Sequence, residues 1–143
     1  MIETSAWDSI QPLLRDLGLD PIRVENVLHP GHPDVDYTHG NIELKYMSAF
    51  PVRPDTKVRV PKLKGEQVAW ITRRSMKGGL VWLLVRVGSE WFLWAGKDVW
   101  EVRQGLTQAE WRERSSLILA QPITQESRQR LKDMLTGKVR TGE

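Results

Sequence analysis

Four charged residues alternate with apolar ones along two short runs. Asp34 and Asp36 flank Val35, and Glu43 and Lys45 alternate with Ile42 and Leu44. Between the runs lies His39-Gly40, where glycine can take the positive φ of a tight turn. A hairpin folded about that turn pairs Thr38 with Asn41, Tyr37 with Ile42, Asp36 with Glu43, Val35 with Leu44 and Asp34 with Lys45. Strand side chains alternate between faces, so Val35, Tyr37, Ile42 and Leu44 share a core face. Asp34, Asp36, Glu43 and Lys45 share the other. Three carboxylates against one amine repel one another. A divalent cation relieves that conflict, because Mg²⁺ takes hard oxygen ligands from one or two carboxylates and keeps its remaining waters. Such an ion lowers the pKa of a bound water and offsets charge building on a phosphoryl oxygen. A lysine two residues beyond a ligating glutamate reaches the same space. It can position or deprotonate an attacking water, or stabilise the transition state. A solvent-exposed hairpin with ordinary charged residues is the bland reading of the same pattern.

The elements that must hold these residues are readable from periodicity and punctuation. Asp8 and Gln11 have capping-box spacing and predict a first helix with Asp8 as N-cap and Pro12 in its first turn. Its apolar stripe is Trp7, Ile10, Leu13, Leu14 and Leu17, and Gly18 stops it. Ile22 to Leu28 reads as a strand before the turn-rich His29-Pro30-Gly31-His32-Pro33. Residues 48–62 hold three prolines and many charges, predicting an exposed loop or edge strand. After Gly65 comes a helix of about twelve residues closed by Gly78-Gly79. Leu80 to Val87 reads as a central strand covered on both faces. It turns at Gly88-Ser89-Glu90 into Trp91 to Trp94. Thr107 and Glu110 form a second capping box, Leu117 to Ala120 reads as a strand, and a last helix runs from Gln125 to Gly137. The fold class expected is α/β, a mixed central sheet flanked by helices, with residues 1–143 as one domain.

Charge along the chain is uneven. Residues 1–36 carry a net −5 and residues 53–77 a net +6, within a total of +3. An acidic centre beside a basic stretch suits a metal-using protein that engages a polyanion, although such a run alone is usually a solvated surface. The absence of cysteine excludes disulfides and thiolate metal sites and fits a reducing cytoplasm. MIETSAWDSI lacks the basic start and apolar run of a signal peptide. No apolar run approaches the roughly 20 residues of a membrane span. The expected location is therefore cytoplasmic, with no membrane partner.

Gly31-His32-Pro33-Asp34, then Ile42-Glu43-Leu44-Lys45, then Gln67 opening a helix, resembles the PD-(D/E)xK nuclease superfamily. The pattern is most similar to its VRR-NUC branch and to phage-encoded, Holliday-junction-resolvase-like relatives, over about Arg23 to Gly79. The resemblance implies a restriction-endonuclease-like core and a Mg²⁺-dependent endonuclease acting on DNA, with Mn²⁺ able to substitute. It implies branched or junction DNA as substrate, a homodimer as one arrangement, and the host cytoplasm as location if the chain is phage-encoded. It implies that Asp34 and Glu43 bind the metal with the Leu44 backbone carbonyl, that Lys45 acts on the attacking water, and that Gln67 steadies the site. An acidic residue on the first helix often joins such sites; Asp8 is one candidate and Glu3 the other. Asp36 departs from the pattern, as an extra ligand, a water-mediated one or only a neighbour. Lys62, Lys64, Arg73, Arg74 and Lys77 are the candidate nucleic-acid contacts.

Other residues compete for attention. His29, His32 and His39 lack the further ligands that a zinc site needs, and a loop histidine touching phosphate is the better reading. Of seven tryptophans, Trp7 and Trp82 read as core. Trp91 and Trp94 fall on opposite sides of one strand; core packing is the favoured reading for both, and stacking of an exposed one on an unpaired base is the alternative. Two further hypotheses stand beside the nuclease. One is a DNA-binding module that kept the fold and lost catalysis. The other is a structural or interaction protein without salt-sensitive DNA affinity.

Overall fold

A computed structural model describes residues 2–25 and 29–138. A six-stranded mixed sheet runs through its centre in the order β1-β2-β3-β4-β5-β6. The strands are β1 (Ile22–Arg23), β2 (Val35–Tyr37), β3 (Gly40–Met47), β4 (Leu80–Val87), β5 (Glu90–Ala95) and β6 (Leu117–Leu119). Only β3 and β4 pair in parallel, and the connection between them carries helix α2 (Gly65–Met76). The expected strand at 22–28 is thus two residues long where described; residues 26–28 lie outside the described chain.

Each face of the sheet has its own core. Helices α1 (Ile2–Asp16) and α5 (Gln125–Leu135) bury Ile10, Leu13, Leu14, Leu131 and Leu135 against Val35, Ile42, Leu44 and Leu84. Helix α2, with α3 (Val99–Gln104) and α4 (Gln108–Arg114), buries Val68, Ile71, Val99, Val102 and Trp111 against Leu83, Val85, Phe92 and Trp94. Among the described residues no helix is long and apolar enough to cross a membrane.

Three local expectations are corrected. Helix α1 begins at Ile2, so Asp8 is no N-cap but a residue of the helix interior. Pro12 therefore also lies inside, where its missing N–H leaves the Asp8 carbonyl without its helical donor. The apolar stripe from Ala6 to Leu17 outweighs that cost by packing. Residues 48–62 form no strand, yet Val58 and Val60 are buried, with Val58 bridging to Leu106. Finally, α3 was not expected at all. Its apolar pair, Val99 and Val102, spans only one turn before Gly105, too short a pattern to register as a period.

Other expectations hold. Gly18 and Gly78 both take positive φ just beyond their helices, and Thr107 and Glu110 form the reciprocal capping box.

Candidate active site

The β2–β3 hairpin differs from the expected one by two residues. Val35 pairs with Ile42, Asp36 with Asn41 and Tyr37 with Gly40, leaving Thr38-His39 as the loop. A slip of two preserves side-chain parity, so the two faces keep the expected residues. Gly40 is not needed for a positive φ. A Cβ there would stand 1.9 Å from the Leu80 carbonyl oxygen of the neighbouring parallel strand. The demand for glycine comes from β4, remote in sequence, and not from the turn. On the core face Tyr37 fixes the hairpin: its hydroxyl donates to the Leu135 carbonyl at 2.6 Å and accepts from Trp82 Nε1 at 3.1 Å.

The new register moves Asp34 from opposite Lys45 to the position facing Glu43. Asp34 Oδ2 accepts the Leu44 backbone N–H at 3.1 Å, and its own carbonyl accepts from Val24. The Asp34 side chain is half-buried, whereas Glu43 is fully buried and Lys45 is 3% exposed. Lys45 Nζ lies 3.0 Å from Glu43 Oε2. Gln67 Nε2 donates to the same oxygen at 3.0 Å. Glu43 Oε1 is buried and has no hydrogen-bond partner among the described residues. Burial first, and then the neighbouring Asp34 charge, push the Glu43 carboxyl up to about 8 against the opposing pull of Lys45.

Gln67 reaches Glu43 because of its place at the third position of α2. Its Oε1 accepts the Lys64 backbone N–H at 2.9 Å, closing the free first turn. One amide thus caps a helix and holds a carboxylate. The start of α2 is pressed against the His29–Pro33 loop, where Gly31 (φ 90°) has no room for a side chain: a Cβ would lie 2.4 Å from the Glu66 carbonyl oxygen. That loop delivers Asp34 to the same place.

The structure therefore brings together Asp34, Glu43, Lys45 and Gln67. It does not bring in the other acidic candidates. Among the described residues no three Asp, Glu or His side chains converge as a metal-binding group. Asp36 is a neighbour engaged elsewhere, accepting from Asn41 Nδ2 at 2.6 Å with His32 Nε2 at 3.9 Å. Asp8 is exposed on α1, whose apolar stripe covers the opposite face of the sheet from Glu43. The Glu3 side chain lies outside the described set. His32 packs edge-on against Trp70 at 5.0 Å, and His39 sits at the hairpin tip, so the three histidines do not converge.

Lys62, Lys64, Arg73, Arg74 and Lys77 are all exposed. Arg74 lies over the Trp70 ring at 4.6 Å. Trp91 and Trp94 do point to opposite faces, but both are buried, because each face has its own helical layer. The exposed ring is Trp100, on the unanticipated helix α3.

The donor set fits a hard divalent cation. The Asp34 and Glu43 carboxyl groups lie side by side, close enough to share the proton that Glu43 holds, and a cation can take that proton's place beside Glu43 Oε1, which meets no other donor among the described residues. Thiolates are absent from the sequence and imidazoles from the cluster, which disfavours softer metals. The chain matches no protein-family model and no curated protein.

Proposed function

We propose that the protein is a metal-dependent endonuclease that hydrolyses phosphodiester bonds in DNA on a restriction-endonuclease-like core. One observation carries the reading: Glu43 is buried with Oε1 unpartnered beside the Asp34 carboxylate, while Lys45 and Gln67 hold its other oxygen. Ionising that buried carboxyl is costly unless something positive shares its space, so without a cation it holds its proton. Lys45 answers one oxygen only. Asp34 and Glu43 would hold Mg²⁺ or Mn²⁺, with the Leu44 carbonyl as the further ligand that the PD-(D/E)xK resemblance implies. When bound, the ion supplies Lewis-acid stabilisation of charge on phosphate oxygens and activates water.

The chain's own groups account for the remainder. Lys45 carries a proton at Nζ within the cluster, where it can orient the attacking water and donate to the charge that develops at phosphorus. Gln67 keeps Glu43 from swinging, and the Leu44 N–H fixes Asp34. Asp34, half-buried, is the more accessible of the two carboxyls, and substrate would approach from its side. Selectivity for branched DNA, and a homodimer to match a two-fold junction, rest on the sequence resemblance alone.

The test is incubation with junction, flap, nicked, single-stranded and linear DNA, in Mg²⁺, in Mn²⁺ and in EDTA. Cutting should require the metal and should vanish in Asp34→Ala and Lys45→Ala while DNA binding persists. Binding without cutting in the native protein would instead identify a module that kept the fold and lost catalysis.

A further inference from the structure

Helices α2 and α3 leave an open groove of about 300 Å³ between them, lined by Val68, Ala69, Thr72, Met76 and Trp100, with Arg73 and Lys77 at its edge. Met76 is 80% exposed and Trp100 50% exposed, so two large apolar side chains face solvent side by side. Nothing in the catalytic cluster uses them. The only charged side chains lining the groove are basic.

We propose that this groove holds an unpaired nucleobase of a single-stranded DNA segment, stacked on Trp100, while Arg73, Lys77 and Arg74 guide its backbone over α2 toward the catalytic cluster. The occupant follows from chemistry. An apolar floor with a solvent-facing indole suits the face of a base, and flanking cations suit the phosphates on either side of it. A second copy of the same groove would bring Arg73 and Lys77 against their own counterparts, which disfavours a symmetric protein contact.

Helix geometry supplies the path. At 100° per residue, Gln67 and the groove residues lie on opposite sides of α2. Going round the arc of α2 from the groove, the exposed side chains Arg73, Lys77 and Arg74 come in turn before the Gln67 side is reached, with Trp70, buried beneath Arg74 and His32, between the last two. Glu66 is the one acidic residue on that arc, confined to the first turn. The acidic groups nearest Trp100 on its own segment are Asp98, half-buried, and Glu101, which pairs with Arg114 at 3.4 Å. A strand crossing the arc spans roughly one helix diameter, about 10–12 Å, a few nucleotides in length. The inference deepens the proposed function and rests on its nucleic-acid reading, but it does not need catalysis.

It is tested by fluorescence anisotropy of labelled single-stranded oligo-dT and of a blunt duplex, in EDTA, across a salt series. Trp100→Ala should weaken oligo-dT binding between about five- and 150-fold, the equivalent of one stacked base at 1–3 kcal/mol. Duplex binding should change less than twofold, and Trp100→Phe should recover most of the loss. Arg73→Ala/Lys77→Ala should lower the salt slope for oligo-dT by about 1.4, from two phosphate contacts at roughly 0.7 each. Unchanged oligo-dT affinity in both Trp100 variants overturns the proposal, as does an equal loss on duplex. A Trp100→Ala shift in sedimentation mass with unaltered affinity overturns it in favour of a protein contact. Because all arms run without metal, a Trp100-dependent affinity in a chain that never cuts DNA would sink the nuclease reading and leave this one standing.

Discussion

The two faces of strand β3 are buried to the same depth and made of opposite materials. Ile42 and Leu44 are 0% and 1% exposed against the α1 side, and Glu43 and Lys45 are 0% and 3% exposed against the α2 side. The first face is ordinary core, filled by Leu13, Leu14 and Leu84. The second places a carboxylate and an ammonium next to Leu83 and Val85, their register partners on β4. Replacing a buried ion pair by apolar residues of similar volume is often neutral or stabilising, because desolvation consumes the Coulombic gain. Stability therefore explains one face and not the other. The proposed metal chemistry is what would account for the charged face.

The largest expected effect breaks the comparison along that line. The double variant Glu43→Gln/Lys45→Met keeps both shapes and removes both charges. It should cut DNA at least about 10³-fold more slowly, roughly 4 kcal/mol in barrier, while its urea midpoint without metal stays at or above that of the native chain. Substantial cutting, or a collapse in stability, would show that the faces do not divide as argued. On the other face, Leu44→Ala should cost about 2–5 kcal/mol in the same unfolding experiment. Assayed cold, where it is still folded, it should retain cutting within about tenfold, since its backbone N–H still holds Asp34.

A pH series sharpens the contrast further. With the Glu43 carboxyl pushed up to about 8, the folded chain holds a proton that the unfolded chain releases at an ordinary carboxylate value. Stability from this group is therefore complete below about pH 4.5 and is lost as pH rises through about 8. For the metal-free protein, each pH unit inside that window should remove up to about 1.4 kcal/mol of unfolding free energy. Glu43→Gln should flatten the curve, and Leu44→Ala should lower it without changing its shape. Mg²⁺ must displace the same proton, so its affinity should climb toward tenfold per pH unit across the window. A native curve as flat as that of Glu43→Gln would refute the buried, proton-holding carboxylate.

How much of this was legible in the sequence depended on the range of each interaction. Alternation fixed which of Val35, Asp36, Ile42, Glu43, Leu44 and Lys45 share a face, and a two-residue error in register left that intact. Gln67 enters through the family resemblance, and Gly65 marks only the helix start that carries it. The register itself was not readable, because Gly40 answers to the Leu80 carbonyl, forty residues away, and looks like a turn glycine from its neighbours alone. Asp8 misleads for a related reason: its capping spacing is local, whereas the helix begins at Ile2 and is already buried in the core at Ala6, ahead of Asp8. Trp100 is not legible because α3, six residues long, is too short to show a period. The same two-layer burial that hides both Trp91 and Trp94 cannot be foreseen from either strand face by itself.

The smallest effect falls on Gln67, which serves both sides of the comparison at once. Its Oε1 caps α2, a structural duty, and its Nε2 holds Glu43, a chemical one. Gln67→Ala removes both and should cost about 1–2 kcal/mol of stability with roughly tenfold slower cutting. Gln67→Glu separates them. A glutamate can still accept the Lys64 N–H and is favoured at a helix start, but it has no hydrogen to offer Glu43 and sets another negative charge beside it. Its stability at pH 7 should therefore exceed that of Gln67→Ala, while its cutting should be at least as slow. If Gln67→Glu instead cut at the native rate, the amide's contact with Glu43 would be incidental, and only the helix start would need residue 67.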